Sequence, residues 1–322
     1  MTKMTWAIKP AVDDKKAQKL ALELNISPFI AQLLIQRGVD TFEKARQFFR
    51  PSLDDLHDPF LMKDMNIAVE RLTKAMFSGE KIMVYGDYDV DGTTSVAMMH
   101  GFLKDVDQLV EFYVPDRYKE GYGVSEQGVR YAAEIGCSIM ITLDCGITAI
   151  DQVKLARELG IDVIICDHHK PGSTLPEATA VLDPLREDCD YPFKHLRGCG
   201  VGFKIIQAII QEQSMDMSLL WKHLDILCAS IGADIVQMTG ENRTLAYFGL
   251  KKIKEDPRPG LKALFKSAGF EKDHPSITDV VFVLAPRINA AGRIGSAADA
   301  VRLLLAETEE EGLSIAKGVE KS

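Results

Sequence analysis

Residues 81–92 read KIMVYGDYDVDG, and the two halves of this stretch differ in kind. Residues 81–85 form a short apolar run without a turn former. The second half crowds Asp87, Asp89 and Asp91 between Gly86 and Gly92. A strand that stops at a Gly/Asp turn and passes into a helix, here expected over about 93–103, opens a βαβ unit. Working outward, the rhythm repeats. Apolar runs at 109–114, 138–143 (SIMITL) and 161–166 (IDVIIC) alternate with helical stretches at about 125–135 and 147–159, and Val181-Leu182 ends a fifth run. The runs are continuous rather than alternating, as in strands covered on both faces. The expectation is an α/β domain with a parallel five-stranded sheet flanked by helices, followed by a mostly helical segment after Gly200.

In such sheets ligands gather beyond the carboxyl ends of the strands. Read there, the chain shows Asp87-Tyr88-Asp89-Val90-Asp91, then Asp144-Cys145-Gly146, then Asp167-His168-His169, with Asp234 interrupting a later apolar stretch. Each group has a plain structural alternative. Asp87 or Asp91 could cap the following helix, and a His pair could simply be hydrogen-bonded in a loop. All of them at successive strand ends fit that alternative poorly, because carboxylates so crowded repel unless cations lie between them. A mixed Asp/His donor set suits Mn²⁺, Fe²⁺, Co²⁺ or Zn²⁺. Five or more ligands exceed the needs of one catalytic ion, so two ions about 3.5–4 Å apart are expected, an arrangement suited to phosphate-ester hydrolysis.

Composition narrows the alternatives. The 322 residues include 38 Lys plus Arg against 47 Asp plus Glu, a formal net charge of −9, with 46% hydrophobic residues. That excludes a largely disordered chain and argues against a uniformly basic nucleic-acid binder. No apolar run approaches a membrane span and residues 1–10 lack a signal-like core, so a cytoplasmic protein is expected. Six cysteines, at 137, 145, 166, 189, 199 and 228, contain no C-x-x-C pair and read as buried apolar residues, not a zinc ribbon. Residues 198–202 (GCGVG) lack the context of a nucleotide-binding loop and read as a tight turn into a helix at Phe203, close to the site.

The four acidic and imidazole motifs, in this order and spacing, resemble the DHH phosphoesterase superfamily. Two further stretches, Tyr113-Val114-Pro115-Asp116-Arg117 with Glu120-Gly121-Tyr122-Gly123, and Pro286-Arg287-Ile288-Asn289-Ala290-Ala291-Gly292-Arg293, narrow the resemblance to its RecJ branch of single-strand-specific exonucleases. It covers roughly residues 50–320. It implies 5′→3′ degradation of single-stranded DNA, in repair and recombination, with two Mn²⁺ or Mg²⁺ ions. By position it implies metal ligands Asp89, Asp91, Asp144 (bridging), His168 and Asp234, with His169 on the scissile phosphate. Many relatives carry a His where this chain has Tyr85, which leaves Asp87 as either a compensating ligand or a support behind the ligands. Candidate substrate contacts are Arg117, Tyr122, Arg287, Asn289 and Arg293, the last three in a Gly- and Ala-rich turn. The surrounding segment 257–294 carries six cations against three carboxylates.

The expected organisation is a helical extension over 1–75, a metal-binding domain over 76–240, a helical part over 241–306, and over 307–322 the start of a helix towards a DHHA1 domain that is absent. This makes the chain a catalytic lobe without the lobe that closes on DNA. Family analogy adds single-strand-binding protein and a RecQ-type helicase as partners. Two rivals stand beside this reading: a family phosphodiesterase acting on short oligonucleotides or cyclic dinucleotides, and an inactive Cdc45-like replication scaffold. The stretch at 286–293 disfavours the first, and the full ligand set the second.

Overall fold

The computed structural model describes residues 7–270, 272–294 and 296–320, with 291–294 and 319–320 described by backbone alone. The chain divides into two compact units, one up to Leu56 and the other from His57 onward. The smaller unit holds α1 (Asp14–Leu24), α2 (Pro28–Ile35) and α3 (Phe42–Phe49). Asp13, Ser27 and Thr41 cap these helices through side-chain oxygens. Asn25, in the left-handed region at φ 53°, separates the first two. Leu20, Ala21, Ala31, Leu34, Val39 and Ala45 form its core.

The larger unit opens with α4 (Met65–Ser78) and then winds the sheet: β1 (Ile82–Gly86), α5 (Val90–Asp105), β2 (Val110–Tyr113), α6 (Glu126–Glu134), β3 (Ile139–Leu143), α7 (Ile150–Glu158), β4 (Asp162–Cys166) and β5 (Ala180–Leu182). All pairings are parallel, in the order β2-β1-β3-β4-β5. Met83, Tyr85, Met140 and Ile165 share one core cluster with Val129 and Ala132 of α6 and Val153 and Ala156 of α7. α4, α5 and α8 (Gly198–Glu212) also pack on the sheet. Helices on both faces explain why β1 and β3 are buried at every position. The parallel five-stranded sheet expected from the sequence is present, with each strand within two residues of its expected limits.

The strand order reverses between β1 and β3, and a doubly wound sheet binds ligands at that switch point. The loops carrying Asp87 and Asp144 leave the sheet there. Past α8 the chain is helical: α9 (Ser218–Trp221), α10 (Leu224–Ala233), α11 (Gly240–Glu255), α12 (Pro259–Ser267), α13 (Ile277–Asp279), a π-helical stretch Val280–Leu284, α14 (Ala285–Ile294), α15 (Ala297–Leu305) and α16 (Glu309–Glu320). All six cysteines are free and buried. Among the described residues no helix is long and apolar enough to cross a membrane.

Two local expectations fail. Residues 198–202 are not a turn but the first turns of α8. Glycine stands at 198 because a Cβ there would lie 2.4 Å from the Asp144 Cβ, so close approach of helix to loop, not chain reversal, demands it. Likewise Arg287, Asn289 and Arg293 lie on a helix rather than in a turn. Alanines favour the helix, and Pro286, which lacks an N–H, falls where the chain passes from π to α geometry.

Candidate metal centre

Motif by motif, the local fold decides where each carboxylate points. β1 ends at Gly86, and Asp89 caps α5 by accepting the Gly92 N–H at 2.9 Å. The capping residue is thus Asp89, neither Asp87 nor Asp91. Asp91 lies in the first turn of α5 and is 1% exposed. Its carboxylate accepts the N–H groups of Gly198 (2.7 Å) and Cys199 (3.0 Å) and the Ser230 hydroxyl (2.6 Å). The N-terminus of α8, with its unsatisfied N–H groups, therefore holds Asp91 in place.

Asp144 follows β3 in the left-handed region at φ 62°, a conformation uncommon outside glycine and associated with functional sites. Its Oδ1 lies 2.9 Å from His168 Nε2, and its buried Oδ2 has no hydrogen-bond partner among the described residues. Burial, then the charges of Asp91 and Asp89, pushes its carboxyl well above the usual range. Asp234, at the end of α10, is pushed to about 7 by burial and by Asp91 and Asp89. Asp87 is raised to about 7 by burial and by Asp89. One of its oxygens accepts the Gly123 N–H at 3.3 Å and the other is buried without a partner among the described residues.

The two imidazoles differ. His168 is buried, which lowers its pKa, and its Nε2 lies 3.6 Å from Asp91 as well as beside Asp144. His169 is 43% exposed at its side chain, and its Nδ1 bonds Asp167 Oδ1 at 2.7 Å, which raises its pKa. Asp167 spends both oxygens on protein: Oδ2 accepts the Ile147 N–H, and Oδ1 accepts the N–H groups of His168 and His169 along with that ring. Burial pushes its carboxyl up, but His169 and these N–H groups outweigh it and hold it low. On the far side, His169 Nε2 lies 3.1 Å from the Tyr122 hydroxyl.

Two clusters among the described residues have ligand atoms all within 4.8 Å of one another: Asp91, His168 and Asp234, and Asp144, His168 and His169. The donor set is oxygen plus imidazole, with the carboxyls of Asp144 and Asp234 raised by burial and then by neighbouring carboxylates, and an orphan oxygen on Asp144 among the described residues. These residues fit divalent ions. His168, not Asp144, is common to the two clusters, and Asp87 and Asp89 belong to neither.

The candidate substrate contacts are spread more widely. The Arg117 guanidinium lies 4.9 Å over the Tyr88 ring, and Tyr88 packs edge-on against Tyr122. Tyr88 is thus a member of this aromatic group that the sequence did not single out. Tyr113 stacks on Tyr85 and bonds Glu120, a structural role. Tyr85 itself is fully buried, and its hydroxyl bonds Gly123 and Ser125, supporting the loop beneath Asp87. Arg287 donates to the Val283 carbonyl at 3.0 Å, and Asn289 is half-buried. The side chain of Arg293 lies outside the described residues. Much of the local positive charge is engaged: Arg258 pairs with buried Asp225, Lys266 with Glu309 and Lys272 with Asp279.

A family model, the N-terminal domain of the DHH family, matches residues 81–231. Over 320 residues the chain is 43% identical to the single-stranded-DNA-specific exonuclease RecJ of Bacillus subtilis, covering 99% of this chain and 40% of that protein. It is 33% identical to RecJ of Escherichia coli, covering 92% of this chain and 52% of that one. A crystal structure of exonuclease RecJ bound to manganese superposes with a TM-score of 0.75 at 32% identity, covering 84% of this chain and 67% of that chain.

The chain belongs to the DHH family, on its RecJ branch.

RecJ of Thermus thermophilus with Mn²⁺ superposes at a TM-score of 0.81 and 28% identity, covering 97% of this chain and 44% of that one. The same protein is also known with Mg²⁺. The chain spans about half the length or less of the Bacillus subtilis and Escherichia coli proteins.

Two residues at the centre escaped the sequence reading. Arg197, the residue before α8, pairs with Asp234 and His168. Its only signal is its place just before the glycines at 198–202. Asp183 follows β5, is fully buried, and is raised to about 7 by burial and by Asp167. Reading all five strand ends, instead of three, would have found it.

Proposed function

We propose that this chain is the catalytic core of a metal-dependent, 5′→3′ single-stranded-DNA exonuclease. The observation that carries the reading is the convergence of Asp91, Asp144, His168 and Asp234 at the sheet's switch point, with the Asp144 Oδ2 buried and without a partner among the described residues. In this reading Asp89, Asp91, Asp144, His168 and Asp234 would hold Mn²⁺ or Mg²⁺, Asp144 as a ligand shared by the two ions expected from the sequence, and Asp87 would be a further ligand or a support. When bound, the ions supply the positive charge that offsets charge developing on the phosphate during in-line displacement. The protein does the rest. The α8 N-terminus and Ser230 orient Asp91, and Asp167 and Tyr122 fix the His169 ring so that it faces the scissile phosphate. Arg117 binds backbone phosphate beside the Tyr88 and Tyr122 rings, where a base can stack. Arg287, Asn289 and Arg293 extend the contact along the strand.

The substrate and the direction of degradation rest on likeness to the RecJ exonucleases, and so do a cytoplasmic location and partnership with single-strand-binding protein and a RecQ-type helicase. The test is digestion of 5′- and 3′-labelled single strands with Mn²⁺, beside a dinucleotide. The reading expects early release of the 5′ label from the long strand. Turnover of the dinucleotide alone would favour the short-substrate phosphodiesterase, and metal uptake without hydrolysis would favour a scaffold.

A further inference from the structure

The geometry points to Arg197 as a built-in cation that occupies the His168–Asp234 side of the cleft and must be displaced before a divalent ion can bind there. This rests on the metal reading above and adds a residue that sets metal affinity without being a ligand. Arg197 Nη1 lies 3.2 Å from His168 Nδ1, and its Nε lies 3.2 Å from Asp234 Oδ2 in an ion pair that lacks hydrogen-bond alignment. The side chain is 34% exposed, so it has solvent to swing into. It makes no capping bond to α8, the helix it precedes.

The hydrogen count on His168 makes the case. A guanidinium only donates, so Nδ1 must accept from Arg197. The single hydrogen of the neutral ring is then on Nε2, which donates it to Asp144 Oδ1 at 2.9 Å. Both ring nitrogens are therefore spent on protein. An ion bound at Nδ1 takes the place of the guanidinium directly. An ion bound at Nε2 needs the lone pair there, so the ring hydrogen moves to Nδ1 and confronts the donors of Arg197. In either case the ring keeps one hydrogen, no proton is lost, and the guanidinium leaves. Asp234 is freed from its cation in the same movement. Arg197 is thus a positioning residue: it holds His168 and Asp234 together without metal and opposes the first ion.

The cost of displacement follows from the contacts. A part-exposed ion pair and one hydrogen bond from a charged donor contribute only modestly, so removing Arg197 should tighten metal binding by roughly fivefold. The experiment is calorimetric Mn²⁺ titration of the metal-free wild type, Arg197→Ala and Arg197→Lys, with thermal melts of each with and without Mn²⁺. The alanine variant should bind Mn²⁺ about fivefold more tightly. It should melt below wild type without metal, and the gap should narrow at saturation. The lysine variant, with the charge but not the fork, should fall between. Arg197→Gln carries the same test should the alanine variant fold poorly. Unchanged or weaker affinity in alanine and glutamine variants overturns the proposal while leaving the metal reading intact. No Mn²⁺ uptake by wild type overturns both.

Discussion

Two of the places where the larger unit buries charge are built in opposite ways. Around α8 and α11, Lys204 is fully buried, and its ammonium meets Glu241 at 2.6 Å, the His57 carbonyl at 2.9 Å and Gln207 at 2.9 Å. Glu241 also accepts the Tyr191 hydroxyl and the His57 N–H. Burial pulls the lysine pKa down and Glu241 opposes it, so each charge has its counter-charge within the protein. In the cleft, Asp87, Asp89, Asp91, Asp144, Asp167 and Asp234 stand together with His168, His169 and Arg197, and Asp87 and Asp144 each keep one buried oxygen with no partner among the described residues. Buried charge that is internally satisfied ties segments together. Buried charge of one sign, left short of partners, is a place for a cation from outside.

The sharpest way to break this contrast is Asp144→Ala. It should reduce cleavage by at least about 10³-fold, yet leave the fold intact or more stable, because a repelled carboxyl is removed. Near wild-type cleavage with Mn²⁺ present would end the assignment. The matching change in the other network, Lys204→Met, should do the reverse. It strands the Glu241 charge and should cost about 3–5 kcal/mol of stability, while folded molecules keep their turnover. A urea-denaturation series read beside specific activity separates the two.

His169 tests the cleft more finely. Its Nδ1 is held by Asp167 and its Nε2 lies beside the Tyr122 hydroxyl, so His169→Ala should lower turnover by about 10²-fold with Mn²⁺ affinity near wild type. An affinity loss as large as in His168→Ala would make it a ligand. The smallest effect expected is at Asp183. Its folded pKa of about 7 exceeds the ordinary 3.8, so the folded state holds a proton that the unfolded state has already released. Its share of stability is present below pH 4 and is lost as pH rises towards 7. Asp183→Asn should remove that decline, gaining about 1–3 kcal/mol over wild type between pH 5 and 8. Parallel pH–stability curves would contradict it.

The sheet was legible because its strands are short, apolar and stopped by Gly/Asp turns, and the acidic edge because strand ends are read directly from sequence. Distance in three dimensions was not legible. Nothing in GCGVG says that Gly198 lies against Asp144, or that its N–H meets Asp91, 107 residues earlier. Arg197 was invisible for the same reason, since its partners lie on β4's loop and at the end of α10. The helix around 286–293 was misread because Gly and Pro suggest a turn, whereas the preceding π segment absorbs the proline within a helix.

The central claim is that the cleft's crowded carboxylates hold divalent ions. Calorimetric titration of the metal-free chain with Mn²⁺, wild type beside Asp144→Asn, tests it most directly, since the amide keeps the shape and removes the charge. The account predicts saturable uptake of about two ions by wild type and loss of at least one of them in the variant. Equal uptake by the two proteins, or none by wild type, would contradict it.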